Sequence, residues 1–160
     1  MDVSPRHLPS MIEKDQFKKA FSAALKAVKF THKGQSWFRD GRDSIVVLNL
    51  QKSDFDEKYY VNFGAWLKAL GTESFPSESK CHIQARLTSL FPDQSVMIEL
   101  SCKLPSSVNE FAKFIEFITQ EAAPFCEDCL RIEGLREKLA CGRFRKAFMM
   151  KSARDILPIN

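Results

Sequence analysis

Apolar and polar positions change period twice along this chain. Phe17, Phe21, Ala24, Leu25 and Val28 recur every three or four residues, the signature of a helix with one apolar face. Lys14, Lys18, Lys19 and Lys26 fall off that stripe, toward water. Ser10-Met-Ile-Glu13 reads as a capping box, so the spacing predicts a helix over 10–28 with Gly34 marking its exit. The period then becomes two. Segments 36–40, 44–52, 58–67 and 81–90 read as strands, and Asp40-Gly-Arg-Asp43 as a tight turn between the first two. Val96, Ile98 and Leu100 alternate within 94–102, which predicts a fifth strand. GTESFPSESK, residues 71–80, reads as a polar loop. After Pro105 the helical period returns through Val108, Phe111, Ile115, Ile118 and Ala122. Ser107-Val-Asn-Glu110 caps that helix and Pro124 should stop it. Residues 131–140 read as a short helix ended by Cys141-Gly142, and 143–157 as a last, basic helix.

The fold class expected from this order is α+β. An antiparallel β-meander of four to five strands (35–102) lies between an N-terminal helix (10–28) and C-terminal helices (106–157), all packed on one sheet face. One domain is expected over 1–160.

The pairing of 44–52 with 58–67 can be read from the residues. A turn centred on Phe55-Asp56 sets Leu48 against Phe63 and Leu50 against Val61, with Asn49 against Asn62 and Gln51 against Tyr60. Apolar meets apolar and polar meets polar. The fourth strand sorts likewise, with Ile83, Ala85 and Leu87 alternating with His82, Gln84 and Arg86. The helices should cover the apolar face. The other face would carry Asn49, Gln51, Tyr60, Asn62, His82, Gln84 and Arg86. Trp37 and Arg39 could join it, because the pattern leaves the register of the first hairpin open. A sheet that merely faces water is served by Lys, Glu and Thr. Amides, a phenol, an imidazole and a guanidinium instead offer directional hydrogen bonds and flat stacking surfaces. The polar face is therefore the candidate binding surface.

Composition narrows the setting. At 160 residues, 44% hydrophobic and 28% charged, the chain is ordinary for a globular protein and needs no disulfide or metal to build a core. Fourteen Phe against two Tyr favours packed rings. No run approaches the roughly 18 apolar residues of a membrane span. MDVSPRHLPS lacks an apolar stretch behind a basic start. The expected location is cytoplasmic, with the five Cys as free thiols. Residues 1–42 hold nine Lys/Arg and four Asp/Glu, 43–130 hold seven and thirteen, and 131–160 hold eight and three. Basic ends admit nucleic acid as a partner. Yet the acidic stretch is the sheet itself, where phosphate binding wants positive charge.

Motifs for catalysis or metals are sparse. Cys126-Glu-Asp-Cys129 has knuckle spacing, but zinc needs four ligands and there is no second CxxC. Cys141, or Cys81 with His82, would have to complete it, and no metal or cofactor is expected. His82 and Arg86 lie roughly 13 Å apart at strand rise, too far to act on one atom. Cys81 and His82 are strand neighbours and point to opposite faces, which opposes a Cys–His pair. Glycine-rich phosphate loops, HExxH and GxSxG are absent.

Val47-Leu-Asn-Leu-Gln-Lys-Ser53, Tyr59-Tyr-Val-Asn62 with Gly64, and Cys81-His-Ile-Gln-Ala-Arg-Leu87 together resemble a bacterial family catalogued only as a domain of unknown function, DUF4304. Phe17-Lys-Lys-Ala20, Gly34, Trp37 and Arg39 match its opening. The resemblance covers about residues 13–90, more loosely the C-terminal helices. It brings no established activity. Some members look like immunity proteins of bacterial toxin systems, which implies a binding role. The leading expectation is a non-catalytic, immunity-like protein-binding module, the partner being another protein and no membrane. The alternatives are a nucleic-acid-binding module, or a small-molecule-binding protein or enzyme with its site near His82 and Arg86.

Overall fold

The computed structural model describes residues 11–158. A two-residue strand, β1 (Met11–Ile12), leads into α1 (Lys14–Ala27). Ser10 lies outside the described residues. The helix starts one turn later than the spacing predicts, with Glu13 as N-cap and its amide donating to Gln16 Oε1 at 2.8 Å. At the other end Lys29 takes φ 75°, and the amides of Lys29 and Phe30 donate back to Lys26 and Leu25. This is a Schellman closure with Lys in the usual Gly place, sealed by Phe30 against the core. Gly34 is not the helix exit. It sits at φ 64° in the turn from β2 (Thr31–Lys33) to β3 (Ser36–Asp40). All of β2 is exposed, so no alternation marks it in the sequence.

β4 (Ser44–Lys52), β5 (Tyr59–Leu67) and β6 (Ile83–Arg86) continue the antiparallel sheet. The β4–β5 register is the one the pattern predicts, Leu48 to Phe63 and Asn49 to Asn62. β6 is shorter than expected. After Arg86 the chain turns into α2 (Leu87–Leu90). The expected strand over 94–102 is also a helix, α3 (Ser95–Cys102). Its buried residues are Ile98, Ser101 and Cys102, three and four apart, while Val96 and Leu100 face out. Three alternating residues are too short a run to separate the two periods.

β7 (Ser106–Ser107) pairs with β1, and α4 (Val108–Phe117) follows with the predicted cap, Ser107 Oγ accepting from the Glu110 amide at 3.1 Å. Pro124 does not end this helix. A π turn over Ile118–Ala122 lets the Ala123 amide reach Ile118, and α5 (Ala123–Asp128) carries on. The wide turn absorbs the residue that has no N–H to give and a ring that crowds the preceding turn. α6 (Ile132–Ala140) closes at Cys141 and Gly142 as predicted, Gly142 at φ 79°. The expected final helix is split into an edge strand, β8 (Phe148–Met149), and α7 (Lys151–Ile156). The sheet order is β2-β3-β4-β5-β6-β8.

α1, α4 and α5 cover one face. Phe17 stacks on Phe21, Tyr59 and Phe114 at 5.4–6.0 Å, and Phe21 meets Trp37 edge-on at 4.9 Å. The C-terminal helices are tied to the turn between β3 and β4. The Ile132 amide donates to Asp43 Oδ2 at 2.8 Å, and Ser44 Oγ donates to the Cys129 carbonyl. Hydrogen bonds from Arg42 and from Ile132 hold the Asp43 carboxyl below its usual range.

Candidate functional site

Alternation along β4 and β5 gives the sheet its two faces. Trp37 pairs with Leu48 and Arg39 with Val46, so both stand on the helix-covered face and not with the polar set. Trp37 is buried and donates from Nε1 to Ser22 Oγ at 3.1 Å. Arg39 donates to the Val28 carbonyl at 3.0 Å and pairs with Glu127. Trp37 and Phe38 are adjacent and both apolar, so only pairing with β4 decides which one faces the helices.

The opposite face is itself divided. Toward one end it is apolar: Phe38, Ile45 and Val47 pack with Cys81, and Trp66 lies against them half-buried. The segment that reads as a polar loop is the cover. Phe75 meets Phe38 edge-on at 5.2 Å. Gly64 lies so near this segment that a Cβ there would come within 2.8 Å of Cys81 Sγ. His82 belongs to this half. It is buried, its ring lies 4.4 Å from Trp66, and Nδ1 accepts from the Leu67 amide at 2.9 Å. Burial pushes its pKa down, and an Nδ1 that accepts from an amide leaves the proton of a neutral ring on Nε2. Gln84 clamps the loop by donating to the carbonyls of Ser79 and Cys81 at 2.9 and 3.0 Å. Both side chains build the cover.

At the other end Asn49, Asn62 and Gln51 form an amide ladder. Asn49 Nδ2 donates to the Gln35 carbonyl at 3.2 Å and to Ser36 Oγ at 3.0 Å. A carbonyl can only accept, so the orientation of Asn49 is settled, and the next two follow from it. Asn62 Nδ2 donates to Asn49 Oδ1 at 3.3 Å and to Gln51 Oε1 at 3.0 Å. Both Asn62 donors are thereby used. Asn62 Oδ1 and Gln51 Nε2 are left without a described partner. The ladder is the floor of a groove of about 580 Å³. Lys33 and Gln35 rise on one side and Phe75–Ser79 on the other, and Lys33 Nζ sits 4.5 Å from the Phe75 ring. Glu78 lines the groove. Burial raises its carboxyl above the usual range, against a smaller opposing pull from Arg86.

Tyr60 and Arg86 stand apart from this groove. The Arg86 guanidinium lies 3.8 Å from the Tyr60 ring centre, and Lys58 Nζ 4.9 Å from the same ring. With Val61, Thr88, Ile98, Glu99 and Cys102 they line a separate cavity of about 240 Å³. Cys126 and Cys129 are buried in the core. Burial pushes Cys126 up to about 12 and Cys129 well above its ordinary value, which suppresses the thiolate that metals and substrates require. Among the described residues no three His, Cys, Asp or Glu side chains gather as a metal site. Of the groove residues, Lys33, Gln35, Ser36 and Glu78 were not legible in advance. Ser36 follows only from the β3–β4 register, and Glu78 from the way the loop folds back.

Fold and site define an α+β protein whose open antiparallel sheet carries helices on one face and an amide-floored groove on the other. The family described as Domain of unknown function (DUF4304) matches residues 21–128, more than half of the chain, and the chain belongs to that family. No curated protein and no solved structure matches it. Among the described residues no helix is long and apolar enough to cross a membrane.

Proposed function

We propose that this protein is a non-catalytic binding module that takes an extended segment of a partner protein in the amide-floored groove. The observation that carries this reading is the pair of open groups on neighbouring strands, a donor on Gln51 and an acceptor on Asn62. Peptide backbone offers one N–H and one C=O at every residue, which is the complementary pair. Glu78 and Lys33 on the walls give the groove both signs of charge, which suits a polypeptide better than a phosphate backbone. A catalytic reading has less support. His82 is neutral and engaged, and His32 stacks on Trp37 at 4.7 Å, on the other face. Burial raises the thiol of Cys81 to about 12.

The immunity-like role expected from the family resemblance is one form such binding would take. The partner would then be a toxin domain, and a toxin gene beside this one would be its genetic mark. The direct test places a photo-cross-linking residue at Gln35, an exposed wall residue of the groove, and, as control, at Gln120 on the helical side, in the native host. A protein captured from position 35, not from 120, and lost on Asn62→Ala is the expected result. Equal capture from both positions, no capture at 35, or capture indifferent to Asn62→Ala would overturn the reading.

A further inference from the structure

The second cavity lies where the sheet ladder breaks. β6 ends at Arg86, opposite Asn62, while β5 runs on to Tyr59. Pairing on that side resumes only at Lys58 with Lys103, where the Leu104 amide donates to the Glu57 carbonyl at 2.7 Å. Between these points the chain has turned away into α2. Odd-numbered residues of this stretch turn their backbone groups toward the β6 side, as the Leu67 amide on His82 and the Glu57 carbonyl show. The Val61 amide therefore faces the gap. The carbonyl that would meet it in a longer strand, that of Leu87, accepts instead from Phe91 at 3.0 Å.

The cavity is graded in character. Val61, Ile98 and Cys102 make its apolar part, all buried. Lys58 and Arg86 stand at the Tyr60 ring, with Glu99 as the one acid among the lining residues. Arg86 is half-buried with its guanidinium carbon over the Tyr60 ring, and no described residue accepts a hydrogen bond from its guanidinium. A planar cation seated over a ring with its donors open is a ready receptor for a carboxylate.

We propose that this cavity binds a small organic monocarboxylate with a short apolar tail. The carboxylate meets Arg86 with Lys58 as the second cation, and the tail lies along Val61, Ile98 and Cys102. Among the lining residues two cations stand against Glu99, a balance that fits a monoanion rather than a phosphate or a dicarboxylate. A volume of about 240 Å³ is below the roughly 300 Å³ at which pockets for drug-sized ligands begin, so the tail is a few carbons long.

The test is an NMR titration of the 15N-labelled full chain with 4-methylpentanoate, 4-methylpentan-1-ol and leucine, which share one apolar body. Saturable shifts at the Val61, Thr88, Ile98 and Cys102 amides are expected for the carboxylate, with the alcohol about tenfold or more weaker. Arg86→Gln should weaken the carboxylate by about tenfold or more and leave the alcohol unchanged. Lys58→Gln, which leaves the Tyr60–Arg86 stack in place, should give a smaller drop and serves alone if Arg86→Gln does not fold. Gln51→Ala should leave the titration unchanged, so the groove and the cavity stand or fall separately. Absence of saturable shifts, equal affinity for acid and alcohol, or tighter binding of leucine would each overturn the proposal. The last would make Glu99 an ammonium receptor and the ligand a zwitterion.

Discussion

Leu48 and Asn49 are neighbours on β4, and they meet Phe63 and Asn62, which are neighbours on β5. One pair sits beneath the helices among rings that water does not reach. The other pair lies at the floor of an open groove, in a chain of amides. Both pairs are held locally, but by different physics. The covered face holds by area and close packing, which tolerate no gap. The groove face holds by a few oriented hydrogen bonds, each of modest net value because water would otherwise supply them. Stability and recognition are thus carried by alternate residues of the same two strands, and substitutions should be able to separate them.

The sharpest break would come on the covered face. Phe17→Ala removes a fully buried ring that stacks on three others, and should lower unfolding free energy by about 3–5 kcal/mol in urea denaturation. Asn62→Ala removes the middle of the amide ladder and should cost about 1–2 kcal/mol while abolishing capture from the groove. If it cost as much as Phe17→Ala, the two faces would not differ in kind.

His82 gives a pH test of the covered end of the groove face. Its folded-state pKa lies below the unfolded value near 6.5, because burial disfavours the charged ring. The unfolded chain therefore takes up the proton first. This contribution to stability is complete above about pH 6.5 and is lost as the pH falls through the lower folded value. In His82→Asn the side-chain carbonyl can still accept from Leu67, and that part of the slope between neutral and mildly acid pH should vanish from denaturation curves. The smallest effect is expected at Gln51→Ala, an exposed position. Stability should change by no more than about 0.5 kcal/mol, yet capture of a partner should weaken.

Much of this was legible where period and pairing reinforced one another. The β4–β5 register, the Ser107 cap and the Cys141-Gly142 stop are local matters, decided by residues near one another in the chain. Legibility failed where a short pattern served two structures. Val96, Ile98 and Leu100 alternate like a strand, but burial at Ile98, Ser101 and Cys102 makes the segment a helix. Trp37 and Arg39 went to the covered face because the β3–β4 register, not the run Trp37-Phe38-Arg39, selects which side each residue takes. Pro124 signalled a stop, and a π turn in front of it carried the helix through.

By itself the sequence determined the α+β class, the pairing of the two long strands, and the sorting of Leu48, Leu50, Val61 and Phe63 from Asn49, Gln51 and Asn62. Those follow from period-two alternation meeting itself across a turn. Only the tertiary structure decided that the polar face is two regions. The segment 71–81 folds back over one end, burying His82 and engaging Gln84, and leaves the amide ladder open at the other. It also decided that β6 stops at Arg86, which opens the cavity beside Tyr60. Both outcomes depend on where a distant stretch of chain packs, and local spacing carries no record of that.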